Sequence, residues 1–121
     1  MHTSFSILQR LKSFRYAARG VIALLSSQHN AWIHAIATLV VCITGLYFRF
    51  SAVEWCCIIL SIMAVWISEA LNTALEFIAD VACPTFHPQI KKAKDIAAAG
   101  VLLAAVGSVI IGVLIIGPYL L

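Results

Sequence analysis

The chain has 121 residues, of which 63% are hydrophobic and only 11% charged, with a formal net charge of +3. A mean hydropathy of +1.03 lies far above that of soluble domains and excludes a soluble globular enzyme. This is the composition of an integral membrane protein, for which no nucleic-acid partner is expected. At about 20 residues per crossing, three spans fit the length and leave an N-terminal stretch for another purpose. The cysteines Cys42, Cys56, Cys57 and Cys83 form no CxxC pair and have no histidine at zinc spacing, so they read as apolar filler. No signal-peptide layout follows Met1.

In residues 4–27, Phe5, Ile7, Leu8, Leu11, Phe14, Tyr16, Ile22 and Leu25 are interleaved with Arg10, Lys12, Arg15 and Arg19. The pattern predicts an amphipathic helix on the membrane surface with its basic face toward anionic headgroups. A solvated basic arm that only orients the protein is the plainer alternative. Ser26-Ser27-Gln28-His29-Asn30 then interrupts the apolar run and predicts a turn into the first span, 31–48. Trp32 anchors its head and Arg49 closes its tail. His34, just inside, reads first as a hydrogen-bonded structural residue. The short Arg49-Phe50-Ser51 predicts a tight turn and an antiparallel hairpin with the second span, 52–80, where Glu54 and Trp55 form a solvated boundary pair.

The second span contains residues that a lipid-facing helix should not carry: Glu69, Asn72, Glu76 and Asp80. At about 100° per residue they fall within roughly 80° of one another, making one acidic stripe. A carboxylate facing lipid costs several kcal/mol, so the stripe must face a protein interior, a wet cavity or the membrane interface. Pro84 and Pro88 turn the chain in the loop from Val81 to Ile90, and the basic cluster Lys91-Lys92-Ala93-Lys94-Asp95 follows. The third span, 92–116, opens on Ala97-Ala98-Ala99-Gly100, small side chains that allow close helix approach, a theme continued by Gly107 and Gly112. Gly117-Pro118 is expected to end it. In this arrangement Arg10, Lys12, Arg15, Arg19, Lys91, Lys92 and Lys94 share one membrane face, with only Arg49 opposite, which makes that face cytoplasmic. Three helices are too few to enclose a polar site in lipid, so oligomerisation is expected.

Carboxylates and an amide on one helix face, with lysines opposite, suit a divalent metal and the neutralising of phosphate charge. Glu69 lies farthest into the membrane, where loss of water makes a carboxylate a stronger proton acceptor for an attacking hydroxyl. The pattern thus points to phosphoryl transfer onto a lipid hydroxyl. Its rival is a transport or structural role in which Glu69 and Glu76 hold a cation or a proton. No Walker-type glycine loop or protein-kinase signature is present, so a nucleotide site must be built in another way.

The run Glu69-Ala70-Leu71-Asn72-Thr73-Ala74-Leu75-Glu76, then Asp80, then Lys94-Asp95 before Ala97-Ala98-Ala99, resembles the prokaryotic diacylglycerol kinases and the related undecaprenol kinases. The resemblance covers nearly the whole chain, as one lipid-kinase domain over 1–121. It implies an all-α membrane protein, a surface helix plus three transmembrane helices, assembled as a homotrimer with composite active sites between subunits. It also implies use of ATP and Mg²⁺, with the site facing the cytoplasm at the bacterial cytoplasmic (inner) membrane. Residue by residue, it implies that Glu69 is the general base and Asn72 supports the site. Glu76 would hold the metal, Lys94 would contact the ATP phosphates, and Asp80, His87 and Asp95 would border the nucleotide. Where the family commonly has a second metal-binding glutamate, this chain has Gln28, an oxygen without charge, so Glu76 or the phosphates must supply more of it. Asn30 and His34 resemble the undecaprenol kinase branch; the best-known diacylglycerol kinases tend to carry an acidic residue at the position of His34. The expected reaction is phosphorylation of diacylglycerol to phosphatidic acid, with undecaprenol to undecaprenyl phosphate as the alternative. A non-enzymatic cation-binding or structural protein is the remoter one.

Overall fold

A computed structural model describes residues 4–121; residues 1–3 of the expected domain lie outside the described residues. The described chain forms four helices: α1 (Ile7–Ser27), α2 (His29–Phe48), α3 (Ala52–Ala82) and α4 (Pro88–Leu120). The last three are each long and apolar enough to cross a membrane.

Helix α1 starts where the Ser6 side chain accepts from the Gln9 N–H, and its Arg10, Lys12, Arg15 and Arg19 are exposed. The expected polar turn from Ser26 to Asn30 is reduced to a single extended residue, Gln28, with φ −129° and ψ 123°. The hydroxyls explain the difference. Ser26 donates to the Ile22 carbonyl at 2.9 Å and Ser27 to the Leu24 carbonyl at 3.5 Å, so both satisfy themselves within α1 instead of breaking it. His29 and Asn30 already belong to α2, which therefore begins earlier than residue 31.

The turn after α2 is as tight as expected. Arg49 takes the left-handed conformation at φ 58°, and the Gly45 carbonyl accepts from both the Arg49 and Phe50 N–H groups. Gly45 is required here, because a Cβ at that position would stand 2.6 Å from the Trp55 ring and 2.8 Å from Phe50. Glu54 is partly exposed at the boundary as expected, and it also holds the turn together. It forms a capping box with Ser51, accepting the Ser51 N–H at 3.0 Å while the Ser51 hydroxyl accepts the Glu54 N–H at 3.2 Å. Its Oε1 also accepts from Tyr119 Oη at 2.7 Å.

Helix α3 continues past Asp80 to Ala82, and α4 begins at Pro88, a turn before residue 92. Proline suits the first helical position, and the His87 Nδ1 caps the helix by accepting from the Gln89 N–H at 3.1 Å. Pro118 does not end α4 but lies within its last turn. A proline there removes only a terminal backbone bond. The Tyr119 contacts hold the turn in place, its ring stacked on Phe48 at 5.2 Å and its hydroxyl on Glu54.

Packing is centred on α3, which lies along α4 much more extensively than along α2. Ile58, Ser61, Val65, Glu69, Thr73 and Ala79 are its buried residues, spaced at three and four and so gathered on one face. The Ser108 hydroxyl reaches the Ser61 carbonyl at 3.2 Å across the α3/α4 seam. By contrast α4 buries none of its residues, which leaves its apolar surface for lipid or another protein.

Candidate active site

Glu69 sits on the inner face of α3 and is 1% exposed, the largest fully buried side chain among the described residues. The i, i+3 and i+4 geometry puts Asn72 and Thr73 one turn along the same face. All three carry an oxygen without a hydrogen-bond donor: Glu69 Oε2, Asn72 Oδ1 and Thr73 Oγ1. An unpaired buried acceptor costs about 1–3 kcal/mol, more for a charge, so a donor supplied to these three within one turn would be stabilising. Thr73 was not among the residues singled out from the sequence, although it lies only about 40° from Glu69 around the helix.

Opposite Glu69 stands His34 of α2. Its Nε2 lies 3.3 Å from Glu69 Oε2, close enough for an ion pair but without the alignment of a hydrogen bond. The imidazole meets the Trp66 ring edge-on at 6.3 Å. The Trp66 Nε1–H donates to Thr38 Oγ1 at 3.0 Å, and the Thr38 hydroxyl donates to the His34 carbonyl at 2.7 Å. Read first as structural from the sequence, His34 thus faces the deepest carboxylate of the stripe.

Farther along α3, Glu76 is half-buried and Asp80 exposed. Among the described residues Glu76 makes no ion pair, whereas Asp80 Oδ1 accepts from Lys94 Nζ at 2.7 Å across the α3–α4 loop. Asp80, His87 and Lys94 line one polar cleft together with Cys83, Thr85 and Lys91. Cys83 is no mere apolar filler, since its thiol donates to the Thr85 carbonyl at 3.2 Å within that loop. Asp95 does not line the cleft. It pairs with Lys91 at 2.7 Å on the exposed side of α4, one turn away. Exposed ion pairs of this kind contribute little to stability, so both lysines can exchange a carboxylate for a phosphate at small cost.

Gln28 forms the α1/α2 junction, and its side chain does not cap α2. No group of three His, Cys, Asp or Glu side chains comes together as a metal cage among the described residues. Magnesium does not require one, because it takes one or two carboxylates and fills its shell with water and phosphate oxygens. The half-buried, unpaired Glu76 fits that donor requirement, and Gln28, at the α1/α2 junction, has an amide oxygen of the same hard-donor kind. The site therefore has a buried carboxylate at one end, a paired lysine at the other, and an unpaired carboxylate between them.

The family model described as prokaryotic diacylglycerol kinase matches residues 15–116. Over 109 residues the chain is 41% identical to an undecaprenol kinase of Bacillus subtilis, covering 90% of this chain and 89% of that protein. It is 38% identical over 112 residues to a diacylglycerol kinase of Synechocystis, covering 92% of this chain and 64% of that longer protein. A diacylglycerol kinase of Escherichia coli is 28% identical over 100 residues, covering 83% and 82% of the two chains. With the match covering α2, α3 with its stripe, and all but the last turn of α4, the chain belongs to the prokaryotic diacylglycerol kinase family.

Proposed function

We propose that this protein is an ATP-dependent lipid kinase that transfers the γ-phosphoryl group of ATP to the hydroxyl of a membrane lipid. The observation that carries the reading is the fully buried Glu69 at the deep end of a stripe that leads to Lys94. Family membership supports the same class of reaction. Glu69 accepts the hydroxyl proton while Asn72 orients the reacting groups through its free amide oxygen. Lys94 leaves Asp80 to meet the phosphates, Asp80 and His87 border the nucleotide, and Asp95 flanks it through its pair with Lys91. Glu76, with the Gln28 oxygen, would hold Mg²⁺, which when bound supplies positive charge to the phosphates.

Two lipids have support. Diacylglycerol, giving phosphatidic acid, is the first reading and agrees with the family description and the Synechocystis relative. Undecaprenol, giving undecaprenyl phosphate, has an equal footing through the relative at 41% identity. The protein works as a homotrimer in the bacterial cytoplasmic membrane, α1 lying amphipathically on the cytoplasmic surface beside the site. The unburied flank of α4 and the unpartnered oxygens of Asn72 and Thr73 support completion of the site by a second subunit.

Release of ADP by the purified protein in mixed micelles with Mg²⁺ tests this, comparing diacylglycerol, undecaprenol and no added lipid. ADP formed only with lipid is expected, and the faster lipid names the substrate. Folded protein that releases none with either would overturn the kinase reading in favour of a cation-binding or structural role.

A further inference from the structure

We propose that His34 is a positioning residue that holds Glu69 in the orientation of a working base, an inference that rests on the lipid-kinase reading. Glu69 is sealed from water at 1% exposure, and the group that the fold brings to its Oε2 is the His34 Nε2 at 3.3 Å. An imidazole nitrogen carries either a proton or a lone pair. A lone pair facing a carboxylate oxygen repels it, so the geometry assigns the ring proton to the Nε2 that faces Oε2. A small turn of the ring aligns that N–H on Oε2, which it faces without hydrogen-bond alignment in the resting site, and leaves Oε1 for the lipid hydroxyl.

The imidazole is held from behind. Trp66 meets its ring edge-on, and the bonds from Trp66 to Thr38 and from Thr38 to the His34 carbonyl fix the turn of α2 that bears it. On its remaining side His34 lines an apolar cleft between α2, α3 and α4 with Ser61, Val65, Ala105 and Ser108, none of which titrates. In turnover the lipid oxygen forms its bond to the γ-phosphorus, the bond from phosphorus to the ADP oxygen breaks, and the hydroxyl proton passes to Glu69 Oε1. Once release of the product opens the site, water from the interface takes that proton. His34 takes no part in the proton transfer and only steers the acceptor.

Replacement by leucine and by glutamine separates positioning from packing. His34→Leu keeps an apolar side chain but no donor, and is expected to lower kcat by about 100-fold with the KM for ATP unchanged, the scale of loss when a reacting group is misplaced by about 1 Å. His34→Gln offers an amide N–H at a similar reach and is expected to recover kcat to within about threefold of wild type, since it restores the hydrogen bond without the ring. The imidazole ¹⁵N spectrum of wild type should show the Nε2-protonated form, and Glu69→Gln should change it. Full kcat in the leucine variant would overturn the proposal. So would a glutamine variant as impaired as leucine with the ATP KM raised in both, which marks a packing role. Should wild type phosphorylate neither lipid, the kinase reading falls by itself, while the ¹⁵N spectrum still decides whether His34 and Glu69 share a proton-dependent contact.

Discussion

Glu69→Gln isolates the proton acceptor from everything else at the site. The amide is nearly isosteric with the carboxylate, so the buried volume on α3 is unchanged, and the His34 Nε2 at 3.3 Å still finds an oxygen. What is lost is basicity. Positioned general bases contribute about 10²–10⁴ in rate, equivalent to about 2.7–5.4 kcal/mol of barrier.

Nucleotide binding should be nearly untouched by that change, for a geometric reason. Glu69 and Asp80 are separated along one continuous helix, α3, by about 16 Å at the standard rise per residue. The Asp80–Lys94 pair therefore lies more than a Debye length from the altered charge at physiological salt. The assay is ADP release at saturating lipid, with ATP affinity measured separately by titration of the same variant. We expect kcat to fall by at least about 100-fold, with ATP affinity within about twofold of wild type. A variant that keeps kcat within about threefold would refute the assignment of Glu69 as base, because no other carboxylate among the described residues lies at that depth on the stripe.

Glu76→Gln should weaken Mg²⁺ activation and ATP use together, read from Mg²⁺ titrations of ADP release; an unchanged titration would remove Glu76 from the metal. Gln28→Glu should tighten the same titration if its side chain reaches the ion, since it restores a charge where the chain has only an amide oxygen. Lys94→Ala should raise the KM for ATP by about tenfold while leaving lipid affinity alone, through loss of a charge-assisted contact to phosphate; an unaltered KM would place Lys94 outside the nucleotide site. Gly45→Ala should destabilise the α2/α3 hairpin by about 1–3 kcal/mol, because its Cβ would meet the Trp55 ring at 2.6 Å. Thermal unfolding in detergent measures this, and an unshifted midpoint would mean that Trp55 swings away freely.

How much of this could be read from the chain depends on the range of each interaction. The stripe of Glu69, Asn72, Glu76 and Asp80 was legible because polar residues in an apolar run are costly and the helical period then fixes their common face. The meeting of Asp80 with Lys94 was nearly as legible, since Pro84 and Pro88 force a turn and the basic cluster follows at once. The turn before the first span was legible in place but not in length, because a run of polar residues suggests a longer break, while serines inside a helix satisfy themselves on carbonyls of the preceding turn. Glu54 and Tyr119, separated by 65 positions, could not be paired without knowing that α3 and α4 run side by side to their far ends.

His34 shows the limit most clearly. Its facing of Glu69 depends on the register of the α2/α3 hairpin, which is set by the left-handed Arg49 and by the space that Gly45 leaves for Trp55. Neither has any local sequence link to the stripe. An isolated histidine in a span has several ordinary explanations, and only the hairpin register turns this one into the partner of a buried carboxylate. The chemistry of such a site is therefore written in local pattern, whereas its orientation is written in a turn at the opposite end of the helix.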